Sequence, residues 1–202
     1  MVSKISNNLE DKLRFGLAGL NEIYSQDELK NLMILIEELE RWNQKFNLTA
    51  IRSIEDMVSG HLLDSLSVRS FLHGQSIIDV GSGAGFPGLP LAIVEPNLDF
   101  ILLDSNGKKV GFIKHVINLL NLNNVKAIKK RAEDYVPASG FDTVIARALT
   151  DIPNLIVLTE HLLKKQGMII SLKGKTTPTL INPSILSSPE FSISPAANTN
   201  LR

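Results

Sequence analysis

The sequence contains no cysteine. Disulfides and thiolate-held zinc are therefore excluded, and the composition suits a reducing compartment. No stretch approaches the roughly eighteen consecutive apolar residues that suggest a membrane-spanning helix. Met1 to Glu10 is polar and lacks the apolar run of a signal peptide. Four histidines, at 61, 73, 115 and 161, show no metal-ligand spacing. These absences predict a cytoplasmic protein with no membrane segment and no metal. Charge excess is missing too: 21 Lys and Arg face 21 Asp and Glu. Nucleic-acid-binding domains usually carry surplus positive charge, so any such contact here must come from a local patch.

What is present is ordered in two parts. Ser25-Gln26-Asp27-Glu28 reads as a capping box, in which the serine hydroxyl and the glutamate carboxylate each take the other residue's N–H. Leu29, Leu32, Met33, Ile36, Leu39, Trp42 and Phe46 follow at helical spacing, predicting a helix over 25–46. Segment 54–72 reads as another helix. From Gln75 the pattern changes to strands alternating with helices. Strands are predicted at 76–80, 98–103, 125–128, 141–146 and 168–172, with helices at 87–95, 107–121 and 152–164. That alternation implies an α/β, Rossmann-like fold: a mostly parallel sheet with helices on both faces. Such sheets bind ligands at the carboxyl ends of their strands, beside the point where strand order reverses. The division is therefore an N-terminal helical extension over 1–74, a core over 75–175 and a tail over 176–202. The tail has four prolines, many Ser and Thr, and only Glu190 and Arg202 charged, which reads as irregular. Phe191 to Ile193 is too short to count as a strand.

The most informative stretch is Asp79-Val80-Gly81-Ser82-Gly83-Ala84-Gly85-Phe86-Pro87-Gly88. Glycines let the backbone turn sharply and let a ligand approach without meeting a Cβ. Pro87 suits the first position of the next helix. Gly83, Gly85 and Gly88 satisfy the dinucleotide pattern G-x-G-x-x-G, but that pattern should begin directly after the strand. The register that does so is Gly81, Gly83, Gly85, with Asp79 two residues ahead. This D-x-G-x-G-x-G loop suits S-adenosylmethionine, which lacks a pyrophosphate and whose ammonium favours a nearby carboxylate. Asp104, at the end of the second strand, can accept hydrogen bonds from ribose hydroxyls of either cofactor. Glu133, after the third strand, lies where methyltransferases face the adenine.

The chain resembles a known family in a series of motifs. These are Trp42-Asn43-Gln44-Lys45-Phe46-Asn47-Leu48-Thr49, His61-Leu62-Leu63-Asp64-Ser65-Leu66, Asp79 to Gly88, Leu103-Asp104-Ser105 with Lys108-Lys109, Arg131-Ala132-Glu133, and Phe141-Asp142 through Val144 to Arg147-Ala148. In order and spacing they are similar to the ribosomal RNA small-subunit methyltransferase G family, also called glucose-inhibited division protein B, over about residues 29–175. The resemblance implies a class I methyltransferase that moves a methyl group from S-adenosylmethionine to guanine N7 in 16S ribosomal RNA. It also implies cofactor contacts at Gly81, Phe86, Ala132 with Glu133, and Arg147. With Asp79, Gly83 and Asp104, these make the expected cofactor site.

No general base is expected, because N7 carries a lone pair and no proton. Where exocyclic-amine methyltransferases have N/D-P-P-Y/F, this chain reads Ala146-Arg147-Ala148-Leu149. Arg147 is the candidate orienting group, with pairing to Asp142 or Glu133 as its structural alternative. His61 with Asp64, one helical turn apart, is either a helix-capping or partly buried pair, or a contact with RNA at the rim of the site. Lys108, Lys109, Lys114, Lys126, Lys129, Lys130 and Arg131, joined by Arg41, Lys45 and Arg52, form the candidate phosphate-binding patch. The expected partner is 16S ribosomal RNA or the small subunit, met by a monomer. The tail departs from the family, which continues with a further helix and two more strands. Without them, Met168 to Leu172 would be an exposed apolar edge. Two alternatives remain at this point: an NAD-dependent oxidoreductase, and a truncated family member that binds cofactor or RNA without activity.

Overall fold

The computed structural model describes residues 2–20, 23–172, 178–182 and 194–195. Helices α1 (Val2–Ala18) and α2 (Gln26–Phe46) open the chain. The capping box at Ser25 and Glu28 is formed in both directions, and Asn47, in the left-handed region, ends α2. Segment 54–72 is not one helix. It runs as α3 (Ile54–Met57), a π-helical turn (Val58–Leu63), α4 (Asp64–Leu66) and a 3₁₀ turn (Arg69–Phe71). Gly16 lets α1 approach this run closely, since a Cβ there would stand 2.2 Å from Leu63 Cδ1.

The core alternates strands and helices: β1 (Ser76–Val80), α5 (Gly88–Val94), β2 (Asp99–Asp104), α6 (Gly107–Leu119), β3 (Val125–Lys129), β4 (Phe141–Arg147), α7 (Ile152–Thr159) and β5 (Leu163–Leu172). Two short strands follow, β6 (Thr179–Ile181) and β7 (Ser194–Pro195). The sheet order is β3-β2-β1-β4-β5-β6-β7. Strands β1 to β5 pair in parallel, whereas β6 and β7 join antiparallel. Order reverses between β1 and β4, so the carboxyl ends of these two strands frame the crevice where such sheets take ligands.

Side chains of the central strands alternate between two buried layers, as a sheet covered on both faces requires. Ile77, Phe100, Leu102, Ile145 and Ile170 face a core shared with α1 to α6. Ile78, Val80, Leu103, Val144 and Ile169 face a smaller core closed by α7. The N-terminal helices thus share one continuous core with the sheet.

Two sequence expectations change here. Pro87 precedes α5 as its cap residue and is not its first helical residue. The expected bare edge at Met168–Leu172 is covered, because β6 pairs with β5 through Ile169–Ile181, Ile170–Leu180 and Ser171–Thr179. Ile181 is buried there, so this part of the tail is neither irregular nor detached. Phe191 to Ile193 lies outside the described residues.

Candidate functional site

Two cavities open at the carboxyl ends of β1 and β4. The larger, about 900 Å³, is walled by Leu48 to Arg52, by Ser59, Gly60, His61 and Asp64, and by Gly81 to Ala84 with Phe86. The smaller, about 550 Å³, is walled by Asp104, Ser105, Asn106, Lys130, Arg131, Ala132, Glu133 and Leu149. Both volumes are in the usual range for small-molecule sites. Four residues line both: Gly81, Lys109, Arg147 and Ala148. The cavities therefore form one cleft with two lobes and a common seam.

The glycine loop makes the floor of the seam. Gly81, Gly83 and Gly85 have φ of 70°, 60° and 89°, conformations that glycine adopts without a Cβ penalty. A Cβ on Gly81 would stand 2.8 Å from Leu149 Cδ1, while one on Gly83 would meet nothing closer than 4.0 Å. Open backbone is thus presented at Gly83, while the Leu149 side chain stands close over Gly81. Its N–H groups at Gly81 and Ser82 donate to Leu103 O, at 2.8 and 3.1 Å, which ties it to the end of β2. All three left-handed glycines belong to the register that starts directly after β1. Gly88, the last glycine of the dinucleotide pattern, serves close packing: a Cβ there would stand 2.7 Å from Leu102 Cγ.

Asp104 stands in the smaller lobe. Its Oδ2 accepts from Gly83 N at 2.9 Å and its Oδ1 from Asn106 N at 2.7 Å. Each carboxylate oxygen has two lone pairs, so Asp104 can still accept from a diol. Ala132 and Glu133 lie on the opposite wall, in a turn closed by Tyr135 N donating to Ala132 O at 3.2 Å.

Asp79 departs from expectation. It lines neither cavity. It is fully buried, its Oδ2 accepts from Gly88 N at 2.8 Å, and its Oδ1 has no hydrogen-bond partner among the described residues. Burial pushes its carboxyl up to about 7, against the opposing pull of the Gly88 N–H and Arg147. The side chain supports the glycine loop from beneath, and direct contact with a cofactor ammonium is not available to it in this geometry.

Arg147 ends β4 and projects into the seam. Asp142 and Glu133 are not its partners. Asp142 accepts instead from Lys164 Nζ at 2.8 Å and from Gln75 N and Ser76 N. Burial works to raise the Asp142 carboxyl, but these donors hold it well below the usual range. Arg147 donates from Nη1 to Gly60 O at 3.2 Å and from Nη1 and Nη2 to His61 Nδ1 at 3.2 and 3.3 Å. Its Nη1 lies 3.5 Å from Asp64 Oδ2. Burial raises the Asp64 carboxyl and the guanidinium opposes that rise. His61 and Asp64 are thus a partly buried pair, as one of the sequence readings has it, and both meet Arg147.

His61 is buried and stacks on Phe86, with ring centroids 4.7 Å apart and planes at 26°. Its Nε2 is 2.9 Å from Thr49 Oγ1. Thr49 is in turn fixed by Asn43, whose Oδ1 accepts from Thr49 N at 2.9 Å and whose Nδ2 donates to Ile51 O at 3.0 Å. Desolvation, with the Arg147 charge beside it, lowers the His61 imidazole to about 4.

Of the residues expected in the cofactor site, Gly81, Gly83, Phe86, Asp104, Ala132, Glu133 and Arg147 line this cleft and Asp79 does not. The sequence reading places Lys109 only in the candidate phosphate-binding patch and a family motif, and Thr49 and Ala148 only within the family motifs, whereas all three line the cleft. Thr49 and Arg147 are distant in sequence, and no local spacing joins them. Lys109 is three residues past Asn106, the cap of α6, which aims it back over the glycine loop. Arg52, Lys109, Lys130, Arg131 and Arg147 line the cleft together with Asp56, Asp64, Asp104 and Glu133, so its charge is mixed, and the other basic residues of the expected phosphate-binding patch do not line it.

The family model for rRNA small subunit methyltransferase G matches residues 28–183. A ribosomal RNA small subunit methyltransferase G of Legionella pneumophila (strain Corby) is 45% identical over 181 residues, covering 90% of this chain and 84% of the relative. A second, of Nitrosococcus oceani, is 45% identical over 166 residues, covering 82% and 78%. Among solved structures, coclaurine N-methyltransferase bound to N-methylheliamine and SAH overlaps 85% of this chain and 59% of its own, with a TM-score of 0.50 at 14% identity. That likeness concerns the fold alone, whereas the sequence matches run through every wall of the cleft, and the chain belongs to the rRNA small subunit methyltransferase G family.

Proposed function

We propose that this protein transfers a methyl group from S-adenosylmethionine to N7 of a guanine in 16S ribosomal RNA. The observation that carries the reading is the two-lobed cleft with a common seam at Gly81, Lys109, Arg147 and Ala148. A methyl donor in one lobe and a base in the other would meet there. The smaller lobe fits an adenosine-containing cofactor: Asp104 can accept from ribose hydroxyls, Ala132 and Glu133 line the same lobe, and the open backbone at Gly83 leaves room for the rest. Family membership favours this cofactor over a nicotinamide dinucleotide, as does the glycine register. The larger lobe, with Arg52 and Lys109, fits a nucleotide of an anionic strand.

Bound S-adenosylmethionine supplies an electrophilic methyl carbon on a sulfonium and leaves as a neutral thioether. The residues around the seam have no proton to remove, since guanine N7 attacks with an in-plane lone pair and takes the positive charge. They are arranged accordingly. His61 is occupied on both nitrogens, Asp64 faces Arg147, and Asp104 is held by backbone N–H groups. What remains for the protein is alignment and exclusion of water, which is worth several kcal/mol when two reactants are fixed in attack geometry. One chain supplies every wall of the cleft, which supports action as a monomer. No helix among the described residues is long and apolar enough to cross a membrane.

The test is transfer of labelled methyl from S-adenosylmethionine to small ribosomal subunits lacking N7 methylation. Label recovered as 7-methylguanine supports the reading. Label in another base or in protein contradicts it.

A further inference from the structure

The network on Arg147 reaches further than the cleft itself. An arginine has five N–H donors and no acceptor. The two guanidinium nitrogens that face His61 Nδ1 can therefore only donate, and Nδ1 must accept. The imidazole proton is then on Nε2, where it donates to Thr49 Oγ1 at 2.9 Å. Thr49 Oγ1 also receives the Ile51 N–H at 3.3 Å. The tautomer is thus fixed from both ends, and the other ring nitrogen is set by the bond its partner makes.

The local helix is built for this contact. In an α-helix the Asp64 N–H would donate to Gly60 O, four residues back. In the π-helical turn it donates to Ser59 O and His61 O. Gly60 O accepts from Arg147 Nη1 at 3.2 Å instead. Single π turns inside helices are frequent at functional sites, and this one aims a carbonyl, a ring nitrogen and the Asp64 carboxylate at one guanidinium. Phe86 closes the arrangement, stacked on His61 and 6.0 Å from the Arg147 Cζ.

We propose that His61 is a positioning residue for methyl transfer: a neutral imidazole, protonated on Nε2, that holds the Arg147 guanidinium at the seam and fastens it through Thr49 to the loop walling the larger lobe. The inference rests on the methyltransferase reading above. It assigns His61 no proton transfer, since both ring nitrogens are engaged. Charged groups around the ring are Arg147 from β4 and Asp64 from its own helical run; Thr49 and Phe86, from the other two segments, are uncharged. Across the lobe stand Arg52, Asp56 and Lys109. The low imidazole value agrees with this: burial disfavours the charged ring most, and the Arg147 charge beside it adds to that.

Two substitutions separate the two halves of the role. In His61→Asn, the amide oxygen stands near Nδ1 and can still accept from Arg147, but the link to Thr49 is lost. In His61→Gln, the amide nitrogen stands near Nε2 and can still donate to Thr49, but the acceptor for Arg147 is lost. Single-turnover methyl transfer to small subunits, thermal unfolding and cofactor binding are measured for both. The expected result is a fall of about 30-fold in the rate for His61→Gln and recovery to within about threefold for His61→Asn, at similar unfolding temperatures. Equal rates for both variants and the wild type overturn the proposal, as do rates that track only the loss of stability. Should either variant fail to fold, long-range ¹H–¹⁵N spectra of the wild-type ring decide. They are expected to show a bare Nδ1 and a protonated Nε2 at pH 6, and the opposite tautomer or a doubly protonated ring overturns the proposal. A wild type that transfers no methyl removes the methyltransferase reading and this proposal with it. A wild type that transfers methyl while the variants match it removes the proposal alone.

Discussion

Ala148 has φ of 49° at the end of β4, where its N–H donates to Leu172 O at 2.9 Å. A left-handed alanine costs roughly 1–2 kcal/mol. Glycine would lose that cost and pay part of it back in chain entropy. Ala148→Gly is therefore expected to stabilise the protein by about 0.5–1 kcal/mol, or about 2 °C in Tm. A lower Tm would show that the strain is absent. Asp104→Asn keeps the shape but weakens two charge-assisted bonds and the acceptor for a diol. Cofactor affinity measured by calorimetry should fall at least about tenfold, and an unchanged Kd would remove Asp104 from the cofactor site.

Two buried groups give opposite pH dependences. For His61 the folded value, about 4, lies below the ordinary 6.5. Between these the unfolded chain binds a proton the folded one refuses, so stability is full above about 6.5 and is lost as pH falls toward 4. For Asp79 the folded value, about 7, lies above the ordinary 3.8. Its contribution is full below 3.8 and is lost as pH rises through 7. Each slope is at most about 1.4 kcal/mol per pH unit. Relative to wild type, Asp79→Asn should therefore gain stability as pH rises from 4 to 8, and His61→Asn should gain as pH falls from 7 to 4. Denaturation curves across that range check both, and a pH-independent difference contradicts them.

Among the elements, local chemistry was readable where the signal is local. The Ser25–Glu28 capping box, β1 at Ser76–Val80 and the left-handed glycines after it follow from caps, period and turn residues within a few positions. The π-helical turn does not, because 54–72 carries ordinary helical spacing and the group that bonds the carbonyl left free at Gly60 is a guanidinium 87 residues away. The partners of Arg147 were missed for the same reason. Sequence spacing places His61 and Asp64 together, and only the sheet order brings β4 beside them. Asp79 was misplaced because its position fits the motif while its side chain turns inward to Gly88. Asn43 shows how such long-range links are braced. Its buried amide holds both Thr49 N and Ile51 O, so Asn43→Ala leaves two backbone groups without this partner. A loss of about 2–3 kcal/mol is expected in urea unfolding, together with slower methyl transfer. Full stability in that variant would contradict the bracing role.

For the whole molecule, the sheet explains both the site and the tail. The β1–β4 reversal places the glycine loop and Arg147 at one seam, and the shared core with α1 to α4 brings the 47–51 loop and His61 over it. At the far side, β6 covers the edge that the sequence left bare. The composition of 176–202 hid this strand, since Thr179–Ile181 is three residues long and follows a proline. Strand β6 lies between β5 and β7, so a proline inside it removes a ladder donor. Leu180→Pro should lower Tm by about 5 °C or more and promote aggregation through the freed edge. An unchanged Tm would show that the pairing contributes little.

The most direct test of the whole is methyl transfer from S-adenosylmethionine to small ribosomal subunits that lack N7 methylation, with the modified base identified after digestion. Label in 7-methylguanine of 16S ribosomal RNA, lost in Arg147→Ala, is the expected result. Absence of transfer by protein that binds S-adenosylmethionine, or label in any other base, would contradict it.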